Sequence, residues 1–188
     1  MTPEKSNVGK WAAWYRGLDD PRPYGDTTSY TIGPAWLAHC ALVEDWGCGR
    51  GWLRTLIPPN RYRGIDGTAS PFCDEVVDLV EYRSTSPGIF MRHVLEHNYE
   101  WARVLDNAVA SFTERMVLVL FTPEVEATQQ IACSLVGAGV PDIAFRLTDI
   151  TDRFPAGLAY SVQRIHSATQ YGCETILLLD RQRGHRIS

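Results

Sequence analysis

Three short stretches hold the residues best suited to chemistry. In Asp45-Trp-Gly-Cys-Gly-Arg-Gly51 three glycines stand at alternate positions behind an acid. Glycine has no Cβ, so it takes positive φ and lets a ligand come close to the backbone. The free N–H groups at the start of a following helix can face polar ligand atoms. Cys48, inside this turn, reads as a small space filler and not as a nucleophile. Asp66-Gly67 follows, about 20 residues beyond the turn, the spacing at which an acid holds a ribose diol. A carboxylate accepts one hydrogen bond from each hydroxyl. The third stretch is His93-Val-Leu-Glu96-His97. His93 is the candidate general base, because imidazole titrates near neutral pH.

These residues need a scaffold. Residues 41–46 read as a buried strand leading into the glycine turn. A helical stretch over 52–57 comes next, and Pro58-Pro59 stops it. Residues 62–65 form a second strand that ends in Asp66, and 75–79 a short third. Residues 88–93 form a fourth, which delivers His93 at its carboxyl end. Open parallel sheets bind ligands at the carboxyl ends of their strands. The glycine turn, Asp66 and His93 are therefore expected in one crevice, with Asp66 exposed to it. A helix over 99–112 leads to a fifth strand over 115–121, whose Val-Leu-Val-Leu run suits a strand covered on both faces. Thr122-Pro123-Glu124 is expected to start a helix that ends by 137–141. One helical turn is expected over 148–154. Residues 159–169 and 173–180 pair as an antiparallel hairpin, and the tail from Arg181 frays. Ahead of the sheet, 8–18 predicts an aromatic helix. A second helix runs from about 27 toward 39, interrupted at Gly33-Pro34.

Composition narrows the function. The chain of 188 residues is 45% hydrophobic, enough for one domain with a sizeable core. Net charge is −4 and no lysine follows Lys10. That argues against a broad phosphate-binding face for nucleic acid. No apolar run reaches the length of a membrane span. The polar Met-Thr-Pro-Glu-Lys start lacks the apolar centre of a signal peptide. Five dispersed cysteines without a Cys-x-x-Cys pair fit reduced thiols and not a zinc site. A cytoplasmic protein, monomer or homodimer, is the expectation.

The glycine stretch resembles the acid-x-Gly-x-Gly-x-Gly motif of class I S-adenosylmethionine (SAM)-dependent methyltransferases. A nicotinamide site more often reads Gly-x-Gly-x-x-Gly without that acid. The resemblance extends over roughly residues 41–180 and is strongest at 45–51, Asp66-Gly67 and 94–97. Val-Leu-Glu-His resembles the segment after strand four in small-molecule methyltransferases. At the start of that strand the family often has an aspartate, where Pro87-Gly88 stands here. The resemblance implies a Rossmann-like α/β sandwich: a mostly parallel seven-stranded sheet of order 3-2-1-4-5-7-6 closed by an antiparallel terminal hairpin. It implies residues 41–188 as the SAM-binding part, and 1–40 as a helical cap or lid, within one structural unit.

It further implies that Asp45, Gly47, Cys48, Gly49, Asp66 and Gly67 bind SAM. Glu81 and Tyr82 would edge the adenine, and Arg92 would join the cofactor site. Tyr24 and His97 would belong to the acceptor side or lid. The product would be S-adenosylhomocysteine. Some relatives acting on small phenols or RNA 3′ ends carry Glu-x-x-Glu-His after strand four and bind a divalent ion. Here His93 replaces the first Glu, and Mg²⁺ prefers oxygen ligands. A non-metal site is the main expectation; His93, Glu96 and His97 form the alternative metal set. The acceptor is expected to be a small molecule, methylated at a hydroxyl. No Asn-Pro-Pro-Tyr or Asp-Pro-Pro-Tyr segment favours amino-directed DNA methylation. The alternatives are methyl transfer to RNA or protein, and a non-catalytic SAM-binding module.

Overall fold

Runs of apolar residues build the middle of the sheet. β4 (Ser86–Arg92), β5 (Phe112–Leu120) and β9 (Cys173–Asp180) are buried along most of their length, because helices and loops cover both faces. On one face Trp46, Ile65, Ile89, Met91 and Leu118 pack with Leu105 and Ala108 of α3 (Trp101–Ser111). On the other, Val43, Phe90, Val117 and Ile176 pack with Tyr30 of α2 (Thr28–Trp36) and with Leu37. The computed structural model describes residues 8–134 and 139–181.

β1 (Val43–Trp46) lies inside the sheet, parallel to both β2 (Tyr62–Asp66) and β4. The order is β3-β2-β1-β4-β5-β9-β8, with β3 at Glu75–Val76 and β8 at Ala159–His166. β9 runs antiparallel between β5 and β8. This is the expected sheet: strands one to five in the order 3-2-1-4-5, then a reversed terminal hairpin. Among the described residues no helix is long and apolar enough to cross a membrane.

Local differences from the sequence reading have physical causes. The expected helix after β5 is instead a two-stranded sheet of β6 (Gln129–Ser134) and β7 (Val140–Ala144). The Thr122 hydroxyl, expected to cap a helix, donates to the Ile143 carbonyl at 2.9 Å. β7 is fully buried, so its backbone groups must be paired; β6 pairs them. Residues 135–138, where the helix was to end, lie outside the described residues. α1 (Ala12–Tyr15) is shorter than the expected helix and stops before Gly17, at φ 76°. α2 continues through Pro34 to Trp36. The glycine turn leads into a 3₁₀ turn, Trp52–Thr55. β3 has two residues, because the chain folds back at 78–82, with Glu81 and Tyr82 N–H groups on the Asp78 carbonyl. α4 (Leu147–Thr151) supplies the expected single turn. Beyond Arg181 the tail lies outside the described residues.

Candidate active site

The chain leaves β1 at Trp46 and turns at once. Gly47, Gly49 and Gly51 all take positive φ, at 76°, 51° and 69°. Gly47 also has no room for a side chain: a Cβ there would stand 2.3 Å from Val94 Cγ2. The turn is pinned to β2, since the Gly47 and Cys48 N–H groups both donate to the Ile65 carbonyl, at 2.7 and 3.0 Å. Asp66 continues the clasp. Its Oδ2 accepts from Gly49 N–H at 2.9 Å and its Oδ1 from Thr68 N–H at 2.8 Å. Asp66 is buried, a correction to the exposed position expected from the sequence. Holding the turn draws the carboxylate inside. Burial pushes its pKa up to about 6, against the lowering pull of those N–H groups. Asp45 is also buried and accepts from the Tyr62 hydroxyl at 2.9 Å. Burial pushes it up to about 7.

These residues border a cavity of about 330 Å³ at the carboxyl ends of β1, β2 and β4. Asp45, Gly47, Cys48, Gly49, Asp66, Gly67, Arg92 and His93 line it, as do Tyr24 and His97. Trp11, Trp14 and Tyr15 wall it from the N-terminal segment, and Phe121 from the end of β5. Glu81 and Tyr82 do not line it; Asp78 and Leu79 do. The fold-back at 78–82 explains the exchange. Glu81 turns outward to Arg103 at 2.6 Å, and Tyr82 packs edge-on against Trp46 with ring centroids 5.1 Å apart.

Arg92 is buried, and its guanidinium is engaged by the protein itself. Nε donates to Ser29 Oγ at 2.9 Å, and the terminal nitrogens to the Tyr30 hydroxyl, the Tyr24 carbonyl and Glu174. It thereby ties residues 24–30 to the sheet. His93 comes next, at φ 57°, a left-handed conformation rare for a residue with a side chain. Its Nε2 lies 2.7 Å from Glu174 Oε1. An ionised carboxylate only accepts, so Nε2 carries the hydrogen and Nδ1 keeps its lone pair. Burial pulls the imidazole down to about 4, although the bond to Glu174 works the other way. Glu174 is buried too; burial raises its pKa, and His93 and Arg92 outweigh that and hold it below the ordinary value.

A second histidine–carboxylate pair lies across Phe121. His97 Nδ1–H donates to the Pro141 carbonyl at 3.0 Å and stands 3.3 Å from Asp142 Oδ1. Tyr171 donates to Asp142 Oδ2 at 2.8 Å. Burial opposes the charged form of His97, yet Asp142, Glu96 and Pro141 hold its pKa above the ordinary value. The alternative metal set does not assemble. The positive φ of His93 breaks the helical register, and residues 95–97 form only a 3₁₀ turn. Glu96 turns inward, where Oε1 accepts from Phe121 N–H at 2.6 Å and burial raises its pKa to about 7. Among the described residues no three His, Cys, Asp or Glu side chains are grouped to hold a metal ion.

Glu174 and Asp142 escaped the sequence reading. The one signal for Glu174 is an acid inside an otherwise apolar strand, Cys173–Leu179. Asp142 gave none, because the stretch just before it was read as the end of a helix.

No protein-family model matches the sequence, and no curated protein matches it. Solved structures do. One is a 1,6-didemethyltoxoflavin-N1-methyltransferase from Burkholderia thailandensis with bound 1,6-didemethyltoxoflavin and S-adenosylhomocysteine. It matches at a TM-score of 0.65 and 16% identity, over 89% of this chain and 80% of that one. The chain has the class I methyltransferase fold. A magnesium protoporphyrin IX methyltransferase from Synechocystis PCC 6803 with bound SAM shares the fold at a TM-score of 0.59 and 16% identity, over 93% and 92% of the two chains. A SAM-dependent methyltransferase from Mesorhizobium loti shares it at 0.52 and 13% identity, over 79% and 96%. Within the class I methyltransferase fold, the glycine turn and Asp66 occupy the carboxyl ends of the first two strands. The β6–β7 pair brings Asp142 to the rim of the cavity.

Proposed function

We propose that this chain is a SAM-dependent methyltransferase that methylates a small molecule at a hydroxyl. The observation that carries the reading is the cavity itself. On a fold shared with SAM- and S-adenosylhomocysteine-bound enzymes, it gathers the glycine turn, Asp45, Asp66 and His93. The residues fit the cofactor. Gly47 and Gly49 present bare backbone to the cavity. Asp66 uses one acceptor site on each oxygen for backbone N–H groups, and a carboxylate has about four, which leaves sites for a ribose diol. Asp45, Gly47, Cys48, Gly49 and Gly67 complete the cofactor-binding set, and Asp78 and Leu79 edge it in place of Glu81 and Tyr82. Arg92 serves this set by holding residues 24–30 in place. Residues 8–40 act as the cap, with Tyr24 and His97 on the acceptor side of the same cavity.

When bound, SAM supplies a methyl group activated by a sulfonium. The chain's own task is to position the acceptor and accept its proton. His93 Nδ1 is the base, while Glu174 fixes the tautomer and ring orientation through Nε2.

The test is calorimetry of the purified protein with SAM, S-adenosylhomocysteine and NAD. Saturable binding of the first two and none of NAD is expected. NAD binding without SAM binding would sink the reading. Asp66→Ala should weaken SAM binding by about 1–3 kcal/mol, the range for lost hydrogen bonds to a charged group. Asp66→Asn, which keeps one acceptor oxygen for Gly49, should lose less. Unchanged SAM affinity in a folded Asp66→Ala protein removes the ribose role.

A further inference from the structure

We infer that the cavity takes a planar aromatic or heteroaromatic acceptor, methylated at an acidic ring O–H, with the His97–Asp142 pair as its specificity-determining contact. The inference rests on the methyltransferase reading and deepens it.

The first argument is the shape and chemistry of the walls. Trp11, Tyr24, Phe121 and two imidazoles face the same space. The Phe121 ring lies between the histidines, with centroids 4.7 Å from His93 and 5.4 Å from His97, and Tyr171 supports it at 5.6 Å. Trp11 meets the His97 ring edge-on at 5.2 Å. Flat rings recognise flat rings, by offset or edge contacts with centroids about 4.5–7 Å apart.

The second argument is the opposition of the two pairs. His93 is held neutral beside a carboxylate that Arg92 already neutralises. His97 is held with its Nδ1–H between the Pro141 carbonyl and Asp142, and the carboxylate beside it favours the imidazolium. Groups whose environments push them apart in this way divide into base and acid. A weakly basic imidazole such as His93 accepts a proton more readily the more acidic the acceptor is. A phenolic O–H or an enol suits it better than an aliphatic alcohol does.

The step balances. The acceptor gives its proton to His93 Nδ1. Its freed electron pair forms the bond to the methyl carbon while the carbon–sulfur bond breaks. That second pair stays on sulfur, leaving a neutral thioether and a protonated His93, which returns the proton to solvent.

The third argument is Asp142. Its side chain is nearly fully buried at the cavity, and its Oδ1 has no hydrogen bond among the described residues. The imidazole of His97 stands 3.3 Å from it. Asp142 is a positioning residue, acting through His97.

The experiment uses the full chain. 7-Hydroxycoumarin and 2-naphthol serve as planar acidic probes, with methyl glucoside and ethanolamine as non-aromatic ones. Probe binding is followed by fluorescence, methyl transfer with labelled SAM, and SAM affinity separately by calorimetry. Binding and transfer with a planar probe, and neither with the others, is the expected result. Asp142→Asn should raise the planar probe's Kd and KM by about tenfold or more, as for a lost charged partner, with SAM affinity unchanged. Tyr171→Phe, which removes one hydrogen bond to Asp142, should move the same constants in the same direction by less. It is the milder variant if Asp142→Asn fails to fold. A protein that binds SAM yet takes only non-aromatic probes, or no planar probe, overturns the inference and leaves the cofactor reading standing. So does a folded Asp142→Asn protein with an unchanged probe Kd. A protein that binds no SAM removes both readings.

Discussion

Replacing Arg92 by leucine is expected to destabilise the fold by about 3–5 kcal/mol, the usual loss when one partner of a buried ion pair is removed. The pair is Arg92 with Glu174, at 2.6 Å, with both side chains almost wholly buried. Leucine leaves the Glu174 carboxylate in the core without its cation. It also strips donors from Ser29, the Tyr30 hydroxyl and the Tyr24 carbonyl. The measurement is urea unfolding at neutral pH. The double variant Arg92→Leu with Glu174→Leu should recover much of the loss, because it removes the orphaned charge as well. A single-variant loss below about 1 kcal/mol would mean that Glu174 finds compensation elsewhere, outside the usual behaviour of buried pairs.

His93→Ala should lower turnover by about 10²- to 10⁴-fold, the worth of positioned acid–base catalysis. SAM affinity should hardly change, since the base faces the acceptor. The sign of the pH dependence follows from the protonation state. Only neutral imidazole accepts a proton, so turnover falls as pH falls through the His93 pKa. Burial places that pKa at about 4, and the acid limb should lie below the ordinary histidine range and vanish in the variant. Glu174→Gln keeps an acceptor for Nε2 but loses the charge; it should lower turnover less than His93→Ala does. A metal role would give a different pattern, in which a chelator abolishes activity and Glu96→Ala loses as much as His93→Ala. Normal turnover in a folded His93→Ala protein would leave the base assignment without support.

The glycine turn and Asp66 were legible because their signals are local. A strand, an acid, three alternating glycines and a second acid after the next strand sit within one short stretch of chain, and the topology follows from alternating strands and helices. The part of the cavity around His93 and His97 is assembled from distant pieces. Glu174 on β9 meets Arg92 at the end of β4 and His93 just beyond it, and Asp142 on β7 meets His97 after β4. No short-range pattern encodes such meetings. Residues 122–144 misled for a related reason. Thr122-Pro123 carries a helix-start signal, but the burial of β7 and its need for backbone partners decided the outcome. Glu81 and Tyr82 missed the cavity by a few residues, since the length of β3 is set by where it stops pairing with β2.

Glu174 Oε1 receives both Arg92 and His93, while Oε2 has no hydrogen-bond partner among the described residues. Two donors cannot each take the full field of one oxygen. Whatever loosens the hold of Arg92 leaves more of that charge to the imidazole and raises its proton affinity. Protonating His93, in turn, weakens the claim of Arg92. Because Arg92 also holds residues 24–30, the order of that segment and the basicity of His93 are linked quantities. Linkage is reciprocal, so each must shift the other by the same free energy.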